Sequence, residues 1–173
     1  MKIKLFITDI DGVWTDGGMY YDNQGNEMKK FNTKDSAGVL FLKQLNIPVA
    51  IITGEKNQII GNRAHKLNIE YIYEGVKNKL LIAQQLCNEL KITLQQVAFI
   101  GDSIGDILLL EKAGLSAAPA DAPQYIKKLV KWNLKMKGGE GVFFEFVEKY
   151  LLENNLLEKC IDNYLIDIQK NYI

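Results

Sequence analysis

Short apolar runs of strand-forming residues alternate with longer stretches of helical periodicity, and this alternation limits the folds open to the chain. Ile3–Ile7, Pro48–Ile52, Tyr71–Tyr73 and Val97–Ile100 are rich in Ile, Val, Phe and Tyr and read as strands. Ser36–Leu45, Asn57–Leu67 and Val76–Leu90 read as helices between them; in the last, Leu80, Leu81, Ala83, Leu86, Cys87 and Leu90 fall near i, i+3, i+4, i+7 spacing. A further helix over Ile104–Ala113 follows Ser103, with Gly114 placed as its C-terminal cap. Near-continuous apolar strands joined through helices point to an α/β fold with a parallel sheet covered on both faces. Ligands in such sheets bind at the carboxyl ends of the strands.

Two segments break the pattern. Residues 17–31 have β-compatible arms around a turn-rich centre, Asp22-Asn23-Gln24-Gly25-Asn26, and read as an inserted β-hairpin. From about Asn154, Leu156, Leu157, Ile161, Leu165 and Ile168 recur at roughly helical spacing, so residues 154–173 read as an amphipathic helical extension of a core spanning 1–153.

Composition excludes several classes. With 173 residues the chain is sized for one domain, and its 21 basic residues balance 21 acidic ones, unlike the basic excess of a nucleic-acid binder. The five lysines within 127–137 therefore read as a solvated surface. Cys87 and Cys160 lie far apart and His65 is the sole histidine, which argues against a Cys/His zinc site and a disulfide framework. The longest apolar stretch, Ile47–Ile52, is too short to span a bilayer and contains Pro48. A cytoplasmic protein with no membrane or nucleic-acid partner is expected.

The chemistry sits at the strand ends. In Asp9-Ile10-Asp11-Gly12, alternation along an extended chain puts both carboxylates on one side, and Gly12 permits a sharp turn. Paired carboxylates repel, and a cation stabilises them; one suits a nucleophile and the other proton transfer. In Gly101-Asp102-Ser103-Ile104-Gly105-Asp106, Asp102 ends a second strand and Asp106 lies one helical turn on, offering oxygen ligands to a hard cation such as Mg²⁺. Thr53-Gly54 and Lys79 supply a hydroxyl, backbone N–H groups and a point charge suited to a phosphoryl group. Singly, each has a plain alternative: an Asp-Gly turn, a helix cap at Asp102 or Ser103, a threonine in a turn, a lysine on a solvated face.

In this order, Asp9-x-Asp11-Gly12-x-x-Thr15, Thr53-Gly54, Lys79 and Gly101-Asp102-x-x-x-Asp106 resemble the four motifs of haloacid-dehalogenase-superfamily phosphatases, over residues 1 to about 150. The resemblance implies a Rossmann-like three-layer α/β/α sheet and an aspartyl-phosphate mechanism. Asp9 is then the nucleophile and Asp11 the general acid and base. Thr53 and Lys79 hold the phosphoryl oxygens. Mg²⁺ is held by Asp9, Asp102 and the Asp11 carbonyl, with Asp106 orienting the metal site. Only 41 residues separate Asp11 from Thr53 and 25 separate Thr53 from Lys79, so neither gap holds a cap domain.

Asp9–Gly17, Phe31-Asn32-Thr33-Lys34-Asp35 and Gly138-Gly139-Glu140-Gly141-Val142 resemble the capless branch acting on phosphorylated 3-deoxy-2-keto sugar acids. That branch includes 3-deoxy-D-manno-octulosonate 8-phosphate and 2-keto-3-deoxynonulosonate 9-phosphate phosphatases. It implies a homotetramer in which hairpins associate and a neighbour's C-terminal segment reaches the site. Thr53-Gly54-Glu55-Lys56 is similar to the nonulosonate enzymes, since octulosonate enzymes usually carry arginine at Glu55. Glu55 would accept hydrogen bonds from sugar hydroxyls and Lys56 would pair with the substrate carboxylate, with Gly54 and Arg63 also on the substrate side. Ser103, Gly105 and Phe144 depart from the pattern, where relatives often carry aspartate, asparagine or a larger residue, and arginine. A phospho-accepting receiver domain also uses strand-end aspartates, a threonine, a lysine and Mg²⁺, but its phosphorylated aspartate follows a later strand.

Overall fold

The computed structural model describes residues 2–171. In chain order its elements are β1 (Leu5–Thr8), β2 (Tyr20–Tyr21), β3 (Glu27–Met28), α1 (Lys34–Gln44), β4 (Val49–Ile52), α2 (Gln58–Lys66), β5 (Tyr71–Tyr73), α3 (Lys79–Glu89), β6 (Val97–Ile100), α4 (Ile107–Lys112), β7 (Leu115–Ala118), α5 (Gln124–Lys127), β8 (Trp132–Asn133), α6 (Val142–Glu153) and α7 (Leu157–Asn171). Six strands form one parallel sheet in the order β5-β4-β1-β6-β7-β8, and β2 pairs with β3 in a separate antiparallel hairpin.

Alternation along each central strand builds two cores. Phe6, Val49, Ile51, Ala98 and Ile100 face α1, α2 and α6, where Leu42, Ile60, Phe143 and Phe146 are buried. Leu5, Ile7, Ala50, Ile52, Val97 and Phe99 face α3, α4 and α5, against Ala83, Leu86, Leu109 and Ile126. Both sides of the sheet are thereby removed from water, which is why these strands lack polar alternation. Counting only the sheet strands, the order is 3-2-1-4-5-6. The connections therefore change direction between β1 and β6 and open a crevice at their carboxyl ends. β1 runs in register with both neighbours, Thr8 opposite Ile51 and Ile100.

Most predicted elements lie within a few residues of their expected bounds, with specific exceptions. The Val76–Leu90 helix starts only at Lys79, because the Asn78 side chain accepts a hydrogen bond from the Leu81 N–H and caps it there. Ile104–Ala113 opens with a 3₁₀ turn, Ile104–Asp106, before α4. Gly114 is not a left-handed cap; a Cβ there would meet the Gln95 carbonyl oxygen at 1.9 Å, so the glycine serves a close backbone approach. β7 and β8 were not anticipated. Leu-Ser-Ala-Ala lacks β-branched residues, and β8 is two residues long inside the lysine-rich stretch. Two of those lysines have structural roles: the Lys127 ammonium donates to the Ala120 carbonyl and Lys131 to that of Gly114. His65 is exposed on α2.

The hairpin stands out from the core, with Met19, Tyr21 and Met28 each more than half exposed. Its turn is held by the Asp22 carboxylate, which accepts from the Gln24 and Asn26 N–H groups. α7 packs on α1 and α6 of its own chain. Cys160 is buried there, and the Asn163 amide donates to the Gln44 carbonyl at the end of α1. Ile161 and Leu165, expected on the packed face, lie on its exposed flank. Among the described residues no helix is long and apolar enough to cross a membrane.

Candidate active site

The strand-end residues converge at the crevice between β1 and β6. Asp9 leaves β1 with its N–H donating to the Ile100 carbonyl, so the two strand ends are tied together at the point where Asp9 and Asp102 emerge. Asp9, Asp11, Thr53, Gly54, Glu55, Val76, Lys79, Ser103 and Gly105 line a cleft of about 230 Å³. A larger cleft of about 360 Å³ opens at the opposite end of β4 and β5, lined by residues such as Lys43, Pro48 and Glu70, and gathers no comparable set of reactive groups.

Lys79 is at the centre of the charge arrangement. Its ammonium lies 2.6 Å from Asp9 Oδ2 and 2.6 Å from Asp106 Oδ1, with the side chain almost wholly buried. Burial alone would lower the lysine; the two carboxylates outweigh it and hold the ammonium above its ordinary range. Burial pushes the Asp9 carboxyl up to about 6 against the pull of Lys79, and the Asp106 charge adds to the rise. Asp102 is pushed up to about 7, first by burial and then by the charges of Asp9 and Asp106. Two carboxylates thus share one ammonium, with Asp102 beside them.

The donor set fits a hard cation. Asp9, Asp102 and Asp106 each offer an oxygen, and these lie within 4.8 Å of one another. Asp102 Oδ1 is buried without a hydrogen-bond partner. Asp102 is therefore not a helix cap through its side chain. That work falls to Asp106 Oδ2, which accepts from the N–H groups of Asp102 and Ser103 and from the Ser103 hydroxyl. Ser103, one of the departures in the motif, thus feeds a proton donor to Asp106. With both its oxygens engaged, Asp106 is suited to orienting the site, and an oxygen-preferring divalent ion suits the free oxygen of Asp102.

Two glycines are dictated by these carboxylates. Gly12 has φ +80°, and a Cβ there would lie 2.1 Å from Asp102 Oδ2; a Cβ on Gly101 would lie 2.5 Å from the Asp106 carboxyl carbon. The Gly138–Gly141 segment buttresses the same loop. The Gly139 N–H donates to the Val13 carbonyl, and a Cβ on Gly138 would meet the Gly12 carbonyl oxygen at 2.2 Å.

Thr53 is buried, and its hydroxyl accepts from the Glu55 N–H at 3.4 Å, which leaves its own proton to donate. Glu55 lies at the cleft mouth. Lys56 is exposed nearby and does not line the cleft. Arg63 is drawn aside: its guanidinium donates to the Ser36 hydroxyl at 2.7 Å and lies over the Phe31 ring at 5.8 Å. Phe144 packs on Phe41 rather than facing the cleft.

Lys29 is the residue that reading the strand ends missed. From the hairpin it reaches Asp11 Oδ1 at 2.7 Å and Glu27 Oε1 at 3.3 Å, with its side chain 2% exposed. The period of two along Glu27-Met28-Lys29 puts Glu27 and Lys29 on the side opposite Met28, a pattern visible in the sequence once the hairpin is drawn.

A model of the haloacid dehalogenase-like hydrolases matches residues 50–146. The 3-deoxy-D-manno-octulosonate 8-phosphate phosphatase of Yersinia pestis is 38% identical over 157 residues, covering 91% of this chain and 84% of that protein. The enzyme of the same name from Escherichia coli K12 is 37% identical over 159 residues, covering 92% of this chain and 85% of that one. The crystal structure of the Moraxella catarrhalis 3-deoxy-D-manno-octulosonate 8-phosphate phosphatase, in complex with magnesium ion, phosphate ion and KDO, superposes with a TM-score of 0.89. It is 32% identical, covering 94% of this chain and 93% of that one. On motif order, sheet topology and identity across nearly its whole length, the chain belongs to the haloacid dehalogenase-like hydrolases.

Proposed function

We propose that the protein is a Mg²⁺-dependent phosphatase that releases phosphate from a phosphorylated 3-deoxy-2-keto sugar acid through an aspartyl-phosphate on Asp9. The observation that carries this reading is the gathering of Asp9, Asp102 and Asp106 oxygens within 4.8 Å of one another at the β1/β6 crevice, with Lys79 in contact with Asp9 and Asp106. Asp9, Asp102 and the Asp11 carbonyl would hold Mg²⁺, which supplies charge neutralisation for the phosphoryl group.

The chain's own residues divide the remaining work. Asp9, gripped by Lys79 and by the Ile10 N–H at 2.8 Å, is held for in-line attack on phosphorus. Lys79 and the Thr53 hydroxyl take the phosphoryl oxygens, Lys79 as a point charge. Asp11 gives its proton to the departing sugar oxygen, and the resulting carboxylate then takes a proton from the water that cleaves the aspartyl-phosphate. Such transfer depends mainly on positioning and charge, which a rigid crevice provides.

The relatives named above support 3-deoxy-D-manno-octulosonate 8-phosphate as substrate. A second reading, 2-keto-3-deoxynonulosonate 9-phosphate, is favoured by Glu55 at the cleft mouth, where a carboxylate accepts from sugar hydroxyls. Comparing kcat/KM for the two phosphates tests the choice. A ratio favouring the nonulosonate that collapses in Glu55→Arg supports the second reading; a preference for the octulosonate supports the first. Release from neither, with Mg²⁺ present, removes both.

Among the described residues no cap covers the cleft, while Met19, Tyr21 and Met28 on the hairpin and Ile104 and Leu108 after β6 are more than half exposed. Apolar groups so placed favour cover by neighbouring copies, consistent with a homotetramer whose sites are completed between subunits. Sedimentation of a fully active monomer would remove this assembly.

A further inference from the structure

A lysine on an exposed hairpin ordinarily keeps its ammonium in water. Lys29 does the reverse. Next to Met28, which is 58% exposed, its side chain is 2% exposed and runs inward to Asp11. Burying an ammonium against a carboxylate contributes little to stability on balance, so its placement asks for another reason. The anchoring continues past the pair: Glu27 Oε1 accepts from Lys29, and Glu27 Oε2 accepts from the side-chain amide of Asn57, the residue that caps α2 through the Ile59 N–H. The hairpin foot is therefore clamped between the catalytic loop and the start of α2.

The two oxygens of Asp11 are differentiated as a result. Oδ1 accepts from Lys29 at 2.7 Å and from the Thr15 hydroxyl at 3.1 Å, whereas Oδ2 is buried with no partner. We propose that Lys29 is a positioning residue for leaving-group protonation: by engaging Oδ1, it fixes the Asp11 carboxyl so that Oδ2 alone handles the proton. This rests on the phosphatase reading above. In the step concerned, an Asp9 oxygen forms its bond to phosphorus as the bond from phosphorus to the alcohol oxygen breaks. That oxygen takes the proton from Asp11 Oδ2, leaving a carboxylate whose charge already faces an ammonium.

The test uses leaving groups that differ in their need for that proton. For Lys29→Met in the full-length, Mg²⁺-loaded protein, kcat/KM for an alkyl sugar-acid phosphate is expected to fall about a hundredfold. For p-nitrophenyl phosphate, whose phenolate departs unprotonated, the fall is expected to stay within about threefold. Because kcat/KM reports steps through phosphoenzyme formation, the later hydrolysis does not enter. Lys29→Arg, which keeps the charge and the reach, should recover most of the alkyl activity. Equal losses on both substrates would mean that Lys29 only supports the fold and would overturn the proposal, as would undiminished alkyl turnover in Lys29→Met. If the wild type turns over neither substrate, the phosphatase reading itself falls, and that outcome is distinct from both.

Discussion

Lys79 Nζ lies 2.6 Å from Asp9 Oδ2, and this buried contact joins the residue that begins α3 to the residue that follows β1. The same ammonium reaches Asp106, so it offsets negative charge at the proposed nucleophile Asp9 and at the residue that orders the β6 loop. Lys79→Met should lower kcat by at least about a hundredfold, the scale for losing a group that stabilises transition-state charge. Divalent-cation binding should persist, because the carboxylates remain. Steady-state kinetics and a metal titration check this; loss of both cation binding and the folded state would assign Lys79 a structural role instead.

Proton and metal should compete at this site. Burial and mutual repulsion raise Asp9 to about 6 and Asp102 to about 7, above their ordinary value of 3.8. The folded protein therefore holds protons that the unfolded chain has released, and metal-free stability falls as pH rises through that window. A cation taking the same oxygens displaces those protons, so its apparent affinity rises with pH. The shift in Tm produced by a fixed Mg²⁺ concentration should accordingly be larger at pH 8 than at pH 5.5. A larger shift at pH 5.5 would contradict the assignment of these carboxylates.

Gly12 and Gly114 are both required, for different reasons, and alanine substitutions should separate them. Gly12→Ala forces a side chain into a positive-φ position and against Asp102 Oδ2, so it should abolish Mg²⁺ binding and activity together. Gly114→Ala presses on the Gln95 carbonyl far from the crevice, so it should lower Tm while the remaining folded protein binds Mg²⁺ normally. Calorimetry and cation titration on both variants make the comparison.

Asp35 gives the fold a pH-dependent weakness away from the chemistry. It is fully buried, and its Oδ1 accepts from the Phe144 N–H in the first turn of α6. Burial, as the leading cause, raises it from 3.8 to about 6. Between those values the folded state binds the extra proton, so stability declines as pH rises and levels off above about 6. Asp35→Asn removes the buried charge and keeps an acceptor. Relative to wild type, it should gain roughly 1–3 kcal/mol between pH 4 and pH 8. Urea unfolding at the two pH values measures the gain, and a pH-independent difference would exclude the mechanism.

The sequence was most legible where composition and chemistry coincide. Ile, Val and Phe runs marked β1, β4 and β6, and the aspartates beyond them marked the crevice, because a parallel sheet exposes its strand ends together. β7 was hidden because Ser116, Ala117 and Ala118 form a strand through burial between neighbours, not through β-propensity. Lys29 was hidden because its partner lies 18 residues away, across a hairpin whose register only folding sets. Charge alone suggests Arg63 for the substrate side, while its helical position equally allows a surface role; the structure ties it to Ser36 beside Phe31.

In the proposed mechanism Asp9 carries the phosphoryl group during turnover. The most direct measurement mixes the Mg²⁺-loaded protein with radiolabelled sugar-acid phosphate, quenches in acid during turnover, reduces the acyl phosphate with borohydride, and maps the modified position. Label on the quenched protein and conversion of residue 9 to homoserine are expected, with neither seen in Asp9→Asn. Turnover without modification at residue 9, or wild-type turnover by Asp9→Asn, would contradict it.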